Sequence, residues 1–198
     1  MLYRKIRSYI DAHLRSNEDK ILLIEGARQI GKSYIIRDVG TELYDNYVEI
    51  NFVEDDAGDK IFRNVRTTEE FYLNLSMVAG FKLDKYENTL VFIDEIQHYP
   101  QFLTMLKFLR QEHRYRFICS GSLLGIALKK TVSVPVGSII PKKMYQLDFE
   151  EFLIANDFGE DAIVHLRKSF EQKQPLAPEV HDKVLSLFKR YLLVGGMP

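Results

Sequence analysis

The chain has 198 residues with a formal net charge of -1, and its composition, 46% hydrophobic and 28% charged, is ordinary for a folded globular protein. The near-neutral charge argues against a general electrostatic attraction to nucleic acid, and no apolar run approaches the ~20 residues of a membrane-spanning helix. The N-terminus is amphipathic rather than a signal peptide, and the single cysteine, Cys119, allows no internal disulfide. We therefore expect a cytoplasmic protein with no membrane partner, in which Cys119 is a buried small side chain.

The first predicted element is an amphipathic helix over residues 2–16, with Leu2, Ile6 and Ile10 on one face. Its basic residues lie off that face. We interpret them as a solvated surface rather than a contact with nucleic acid.

The next stretch, residues 21–37, combines an apolar run with a glycine-containing loop and a helix. The run Ile21–Ile24 predicts a strand buried on both faces, and residues 33–39 predict a helix that ends at Gly40. Between them the sequence fits G-x-x-x-x-G-K-[ST] without a mismatch. The matching residues are Gly26, Ala27, Arg28, Gln29, Ile30, Gly31, Lys32 and Ser33.

This motif predicts a loop that binds the phosphates of a nucleotide. Glycine is needed where a Cβ would obstruct the curve of the backbone around phosphate oxygens. The Lys32 ammonium would reach the terminal phosphates, and the Ser33 hydroxyl would ligate Mg²⁺. We include the following residue, Tyr34, among the predicted nucleotide-binding residues.

The region after this helix predicts a strand, an acidic turn and another helix. Residues 47–53 alternate as in a strand with unequal faces, and the acidic residues 54–56 end it in a solvated turn. Residues 68–79 predict a helix with Thr67 or Thr68 as its N-cap.

The second informative stretch is residues 90–95, LVFIDE. Four apolar residues predict a buried strand, and two acids follow at its C-terminal end, where open α/β sheets bind their ligands. Together with the phosphate-binding loop, this pattern is a Walker B element. Asp94 would hold the Mg²⁺ that Ser33 also ligates, and Glu95 would orient and polarise the attacking water.

A helix over residues 100–112 and a buried strand over residues 116–120 follow. A strand inserted between the Walker B strand and the rest of the sheet distinguishes the NTPases that activate water from P-loop kinases and GTPases. Ser120, at its end, is therefore a candidate sensor of the γ-phosphate. Ser122 is better interpreted as the cap of a helix over residues 123–130.

The remaining residues predict a loop or short hairpin at 131–141, a fifth strand at 142–147, and helices at 149–155, 161–170 and 178–194. The count of strands and helices favours an α/β protein with a three-layer αβα sheet and a small C-terminal helical lid. We expect an ATPase core at residues 1–148 and, at residues 149–198, the lid and the start of a missing C-terminal domain.

Four sequence stretches, GARQIGKS, LVFIDEIQHYP, FICSGSLLG and LDFEEFL, occur in this order and resemble AAA-type P-loop ATPases of bacteria and archaea. Those proteins join an ATPase module to an uncharacterised, nuclease-like C-terminal domain. The resemblance implies a five-stranded parallel sheet of order 5-1-4-3-2 and hydrolysis of ATP with Mg²⁺. It places the site on Lys32, Ser33, Asp94, Glu95 and the strand end at Ser120.

The sequence departs from this family where many members carry an arginine that stabilises the transferring phosphate. Here Pro135, Val136 and Gly137 stand before the fifth strand, and Lys129 and Lys130 are the nearby cations. The family's site commonly lies near a subunit or domain interface, so a homo-oligomer is compatible with the pattern. We expect slow turnover by the isolated chain.

Two other functions stay open at this point. One is a nucleotide-gated binding module that changes shape with little hydrolysis. The other is association with DNA, for which composition gives no support. It would use a cluster of basic residues, namely Lys107, Arg110, Arg114 and Arg116.

Overall fold

The computed structural model describes residues 2–51, 60–80, 83, 88–122 and 137–198. The predicted acidic turn at 54–56, the helix at 123–130 and Lys129 and Lys130 lie outside these residues. The chain divides into two compact units, Arg7–Met144 and Met1–Ile6 together with Tyr145–Pro198. The predicted boundary between residues 148 and 149 stays a prediction.

The larger unit is built on five parallel strands in the order β2-β3-β4-β1-β5. The predicted fold class and strand order are confirmed. The strands are β1 (Ile21–Glu25), β2 (Asn46–Asn51), β3 (Thr89–Asp94), β4 (Arg116–Gly121) and β5 (Ile139–Lys143).

The register brings the carboxyl ends of neighbouring strands side by side. Asn51 of β2 is paired with Asp94 of β3, and Glu25 of β1 is paired with Gly121 of β4. In an open parallel sheet, ligands bind at this edge. The topology therefore gathers the polar strand ends of the sequence in one place.

Helices flank the sheet, and each buries an apolar stripe. The helices are α1 (Lys5–Arg15), α2 (Lys32–Leu43), α3 (Thr68–Ala79) and α4 (Pro100–Glu112). Side chains of α3 and α4 share one buried core with alternate residues of the strands, and its centre is a cluster of tilted and edge-on rings of Phe62, Phe71 and Phe102. Thr67 caps α3 in a capping box with Glu70, so the first of its two candidate caps is correct.

Three predicted boundaries were wrong. Helix α1 begins at Lys5 rather than at residue 2. Helix α2 continues past Gly40 to Leu43, because Gly40 is buried against Tyr47 and Leu90 and serves close packing rather than a helix stop. The fifth strand is Ile139–Lys143 rather than residues 142–147, so residues 139–141 are not loop. The sequence rule treats Pro141 as a breaker, but β5 is an edge strand, where a missing N–H is tolerated.

The smaller unit contains α5 (Phe149–Ala155), α6 (Glu160–Glu171) and α7 (Pro178–Val194). Its core is formed by Leu153, Phe158 and Ile163. Asp148 caps α5 in a second capping box, with Glu151 as the reciprocal partner. No helix in the described part of the chain is long and apolar enough to cross a bilayer.

Candidate nucleotide site

The loop between β1 and α2 has the backbone that the motif requires. Gly31 has φ 89° and Gln29 has φ 63°, so the loop passes twice through the left-handed region. At Gly26 an added Cβ would collide with the carbonyl oxygen of Met144, whose N–H donates to the Glu25 carbonyl at 2.7 Å. Glycine at position 26 thus allows the end of β5 to lie against the loop.

Lys32 is the first residue of α2, and its side chain turns back into the loop. The Nζ atom donates to the carbonyl oxygens of Gly26 at 3.2 Å and Ala27 at 2.7 Å, and it lies 3.9 Å from Oε1 of Glu95. Burial lowers the pKa of Lys32, and the charges of Glu95 and Asp94 oppose that shift. The ammonium is therefore poorly solvated. It lies at the centre of a loop, residues 26–33, that contains no acidic side chain.

Asp94 ends β3 and is only 3% exposed. Its Oδ2 accepts a hydrogen bond from the Ser33 hydroxyl at 2.7 Å and a longer one from Asn51 Nδ2 at 3.4 Å. Its Oδ1 accepts from the fully buried Ser120 hydroxyl and from the backbone N–H of Glu95 at 3.0 Å. Both carboxylate oxygens are thus oriented by groups from four different segments of the chain.

Glu95 follows with φ 47°, a left-handed conformation that is unusual for a residue with a side chain. Its Oε2 accepts from the Ser122 hydroxyl at 2.8 Å and from the Gln97 amide. Burial alone would raise the pKa of Glu95, but the hydrogen bonds from Gln97 and Ser122 and the charge of Lys32 hold the pKa below its ordinary value. The side chain is therefore an ionised carboxylate at neutral pH.

These residues surround a cavity of about 380 Å³ at the carboxyl edge of the sheet. Among the predicted site residues, Gly26, Ala27, Ile30 and Ser120 are outside its lining, and Ile30 and Ser120 are buried. The lining is formed by Arg28, Gln29, Gly31, Lys32, Ser33, Tyr34, Asn51, Asp94 and Glu95.

Three residues next to the predicted ones were missed by the sequence analysis. Asn51 could have been found, because it ends the strand beside β3 and strand ends share one edge. Gln97 carries no signal of its own in the sequence. Ser122 was interpreted only as a helix cap, yet its hydroxyl contacts Glu95.

The residues present fit a nucleotide with Mg²⁺. The Ser33 hydroxyl and Asp94 carboxylate are hard oxygen donors that lie 2.7 Å apart, beside a buried lysine and a loop of the required curvature. Among the described residues there is no group of three or more His, Cys, Asp or Glu side chains arranged to hold a metal alone. One hydroxyl and one carboxylate are the protein ligands expected for Mg²⁺, which keeps several waters and is commonly bound through one or two carboxylates and the substrate phosphates.

Comparison of the sequence with models of known protein families shows which family the chain belongs to. A model described as an AAA domain matches residues 18–153, more than half of the chain. The chain belongs to this AAA domain family. The AAA match covers the phosphate-binding loop, Asp94, Glu95 and all five strands, and it makes the chain an AAA-type P-loop ATPase domain. No curated protein matches the chain.

Several solved structures are similar to part of this chain. PCH-2 of Caenorhabditis elegans is 16% identical with a TM-score of 0.47, over 76% of this chain and 45% of its own. The Holliday junction branch migration motor RuvB of Thermotoga maritima is 14% identical with a TM-score of 0.44, over 75% and 46%. The Hsp104–ADP complex of Saccharomyces cerevisiae is 14% identical with a TM-score of 0.50, over 77% and 23%. This AAA domain thus spans less than half the length of each.

The basic cluster considered for DNA has other contacts. Arg110 pairs with Asp19 at 2.7 Å, and the Arg114 guanidinium lies over the ring of Tyr72 at 4.6 Å. Arg116 donates to three backbone carbonyls near the end of α1, those of His13, Ser16 and Glu18. Three of the four cations therefore stabilise the fold.

Proposed function

We propose that this AAA domain binds ATP with Mg²⁺ and hydrolyses it, and that the cycle drives or switches an attached effector domain. The observation that carries the proposal is the 2.7 Å hydrogen bond from Ser33 to Asp94, with Glu95 next in the chain and 3.9 Å from the Lys32 ammonium. In one cavity, these four side chains would supply ligands for a metal ion, a cation that binds the phosphates and a base. The effector domain and a cytoplasmic location stay predictions from the sequence.

The roles follow from the position of each group. The backbone N–H groups of residues 26–33 and the N-terminus of α2 would bind phosphate oxygens, and Lys32 would leave the loop carbonyls to reach the terminal phosphates. Ser33 and Asp94 would hold Mg²⁺. When bound, this ion supplies charge neutralisation on the β- and γ-phosphate oxygens.

Glu95 is the proposed base. Its ionised carboxylate lies on the cavity wall, where it would orient a water and accept a proton from it. Ser120 was predicted to sense the γ-phosphate, but its buried hydroxyl is hydrogen-bonded to Asp94. We therefore propose that Ser120 acts through Asp94, as a positioning residue.

The test separates binding from hydrolysis. Glu95→Gln keeps the shape of the side chain and removes the base, so ATP·Mg should still bind while single-turnover release of phosphate falls steeply. Glu69→Gln removes an exposed carboxylate from α3 and serves as the matched control. Unchanged hydrolysis in Glu95→Gln would contradict the assigned role, and a parent chain that does not bind ATP·Mg would contradict the whole proposal.

One observation favours the second candidate, a nucleotide-gated module with little hydrolysis. Among the described residues, Arg28 is the only arginine that lines the cavity, and a P-loop interior side chain normally points away from the phosphates. An arginine finger is worth about 10³ to 10⁵ in turnover. We therefore expect slow phosphate release that rises with protein concentration if a neighbouring copy supplies the charge. Fast, concentration-independent release that survives replacement of Lys129 and Lys130 would contradict this expectation.

A further inference from the structure

The carboxylate of Glu95 belongs to a closed ring of hydrogen bonds with two side chains that the proposed mechanism does not use. The Gln97 amide donates to Oε2 of Glu95 and, at 3.2 Å, to the Ser122 hydroxyl oxygen. The Ser122 hydroxyl donates its proton to the same Oε2 at 2.8 Å. Because Ser122 accepts from Gln97, its single proton is directed at Glu95.

The backbone builds this ring from two strand ends. Glu95 turns through the left-handed region and is followed by one 3₁₀ turn, Ile96–His98, in which the His98 N–H donates to the Glu95 carbonyl at 3.1 Å. This sharp turn folds Gln97 back onto Glu95. Ser122 follows β4, which is the neighbour of β3 in the sheet. The ring therefore depends on the strained turn and on the strand register together.

The orientation of the Gln97 amide leaves one of its polar atoms without a partner in the described part of the chain. Its Oε1 is buried and accepts no hydrogen bond from any described residue. The opposite orientation would place this oxygen against the Glu95 carboxylate, which is electrostatically unfavourable. The amide thus presents its donor, and not its acceptor, to the Glu95 carboxylate and the Ser122 hydroxyl.

We propose that Gln97 and Ser122 are positioning residues that fix Glu95 by its Oε2 and leave Oε1 as the oxygen that faces Lys32 and the reacting water. The proposal rests on the hydrolytic function proposed above. With both donors on Oε2, the carboxylate cannot rotate freely about its last bond. Oε1 is then held beside the Lys32 ammonium at 3.9 Å. A base held in this way needs less reorganisation before proton transfer.

The test uses Gln97→Met, which keeps the length of the side chain and removes both the donor and the unmet acceptor, and Ser122→Ala. Affinity for ATP·Mg is measured by titration, hydrolysis by single turnover with labelled ATP, and stability by thermal melting. We expect each variant to hydrolyse roughly 10- to 100-fold more slowly, the loss typical of a misplaced catalytic group. The affinity should change less than about 3-fold, well below the differences attributed to a lost ligand contact. The melting temperature of Gln97→Met should be equal to or above that of the parent.

Two further variants separate positioning from packing. Gln97→Glu keeps the shape but puts a second carboxylate against Glu95, so it should hydrolyse no faster than Gln97→Met. Ser122→Thr keeps the hydroxyl and should recover hydrolysis relative to Ser122→Ala. The matched control is Thr89→Val, at the opposite end of β3 from Glu95. Like Ser122→Ala it removes a buried hydroxyl, but the Thr89 hydroxyl has no hydrogen-bond partner among the described residues. It should leave hydrolysis unchanged.

The outcomes distinguish this inference from the proposed function. If the parent hydrolyses ATP and both Gln97→Met and Ser122→Ala match its rate, the positioning role is wrong and the ATPase proposal stands. If the slow variants also bind ATP·Mg weakly and melt earlier, the ring is structural and the inference is again overturned. A parent that binds ATP·Mg but releases no phosphate in a single turnover overturns both.

Discussion

The Ser33 hydroxyl donates a 2.7 Å hydrogen bond to Oδ2 of Asp94, although the two residues are 61 positions apart in the chain. The bond joins the start of α2 to the end of β3, at the point where the carboxylate also accepts from Asn51 and Ser120. The hydroxyl oxygen and the carboxylate oxygen are therefore close enough to contact the same ion. A cation that displaces this hydrogen bond would find both oxygens already close together.

The first prediction concerns this pair. Asp94→Asn should weaken ATP binding strongly in the presence of Mg²⁺ and much less in the presence of EDTA, because it removes the negative charge that the ion requires. Titration with both forms of the nucleotide measures this difference. Asp45→Asn changes an exposed aspartate between α2 and β2 and is the control. Equal loss of affinity with and without Mg²⁺ would show that Asp94 contacts the nucleotide in another way.

Lys32→Ala is expected to abolish binding of ATP·Mg. The ammonium is the main point charge available to the β- and γ-phosphates, and within the described part of the chain it contacts two carbonyl oxygens and a carboxylate 3.9 Å away. Ligand at ~100 times its Kd should add about 2.7 kcal/mol to the free energy of unfolding of the parent. Thermal melts should show this shift for the parent and for Lys107→Ala, and none for Lys32→Ala. A parent melting temperature that saturating ATP·Mg does not move would refute the assignment.

Gly40→Ala is expected to destabilise the fold by about 1–3 kcal/mol through overpacking. An added Cβ would lie 2.7 Å from the Tyr47 ring and 3.0 Å from Leu90, and this clash outweighs the better helix propensity of alanine, about 1 kcal/mol. Urea denaturation measures the change. At Gly137 an added Cβ meets nothing within 4 Å, so Gly137→Ala is the matched control. A gain in stability at position 40 would show that Tyr47 and Leu90 make room for the added methyl group, which would contradict the close packing assigned to Gly40.

Cys119 should be inert in the folded protein. The thiol is fully buried in β4, and burial raises its pKa well above the ordinary value, so almost no thiolate exists at neutral pH. The sequence-based interpretation of a buried small side chain is confirmed. We expect a thiol reagent to label Cys119 only in denaturant, with a rate that follows unfolding. Rapid labelling of the native chain would show that β4 opens locally.

The parts of the candidate site that depend on local pattern could be predicted from the sequence. Few other structures require the residue types found in the loop from Gly26 to Ser33 and at Asp94 and Glu95. The fold class follows from the number of strands around them. The strand order came from the family resemblance. It was not accessible from periodicity, because periodicity does not report which strands pair.

The misses have one physical origin. The extension of α2 past Gly40 depends on a ring contact with Tyr47, and the position of β5 depends on its pairing with β1. The proposed role of Gln97 depends on a left-handed φ at Glu95, which no sequence rule assigns to a glutamate. Each of these features exists only in the assembled structure.

The position of β1 in the sheet has a consequence for the order of folding. β1 is the first of the five strands to be synthesised but lies between β4 and β5, which are the last two, and Ile21 is paired with Ile139. At about 5–20 residues per second, the ribosome needs on the order of ten seconds to supply that partner. β4 is synthesised shortly before β5, and until β5 follows, the phosphate-binding loop lacks one neighbouring strand and the Met144 carbonyl that fits against Gly26. We therefore expect ATP binding to appear only late in folding, so that the nucleotide selects finished sheets rather than nucleating them.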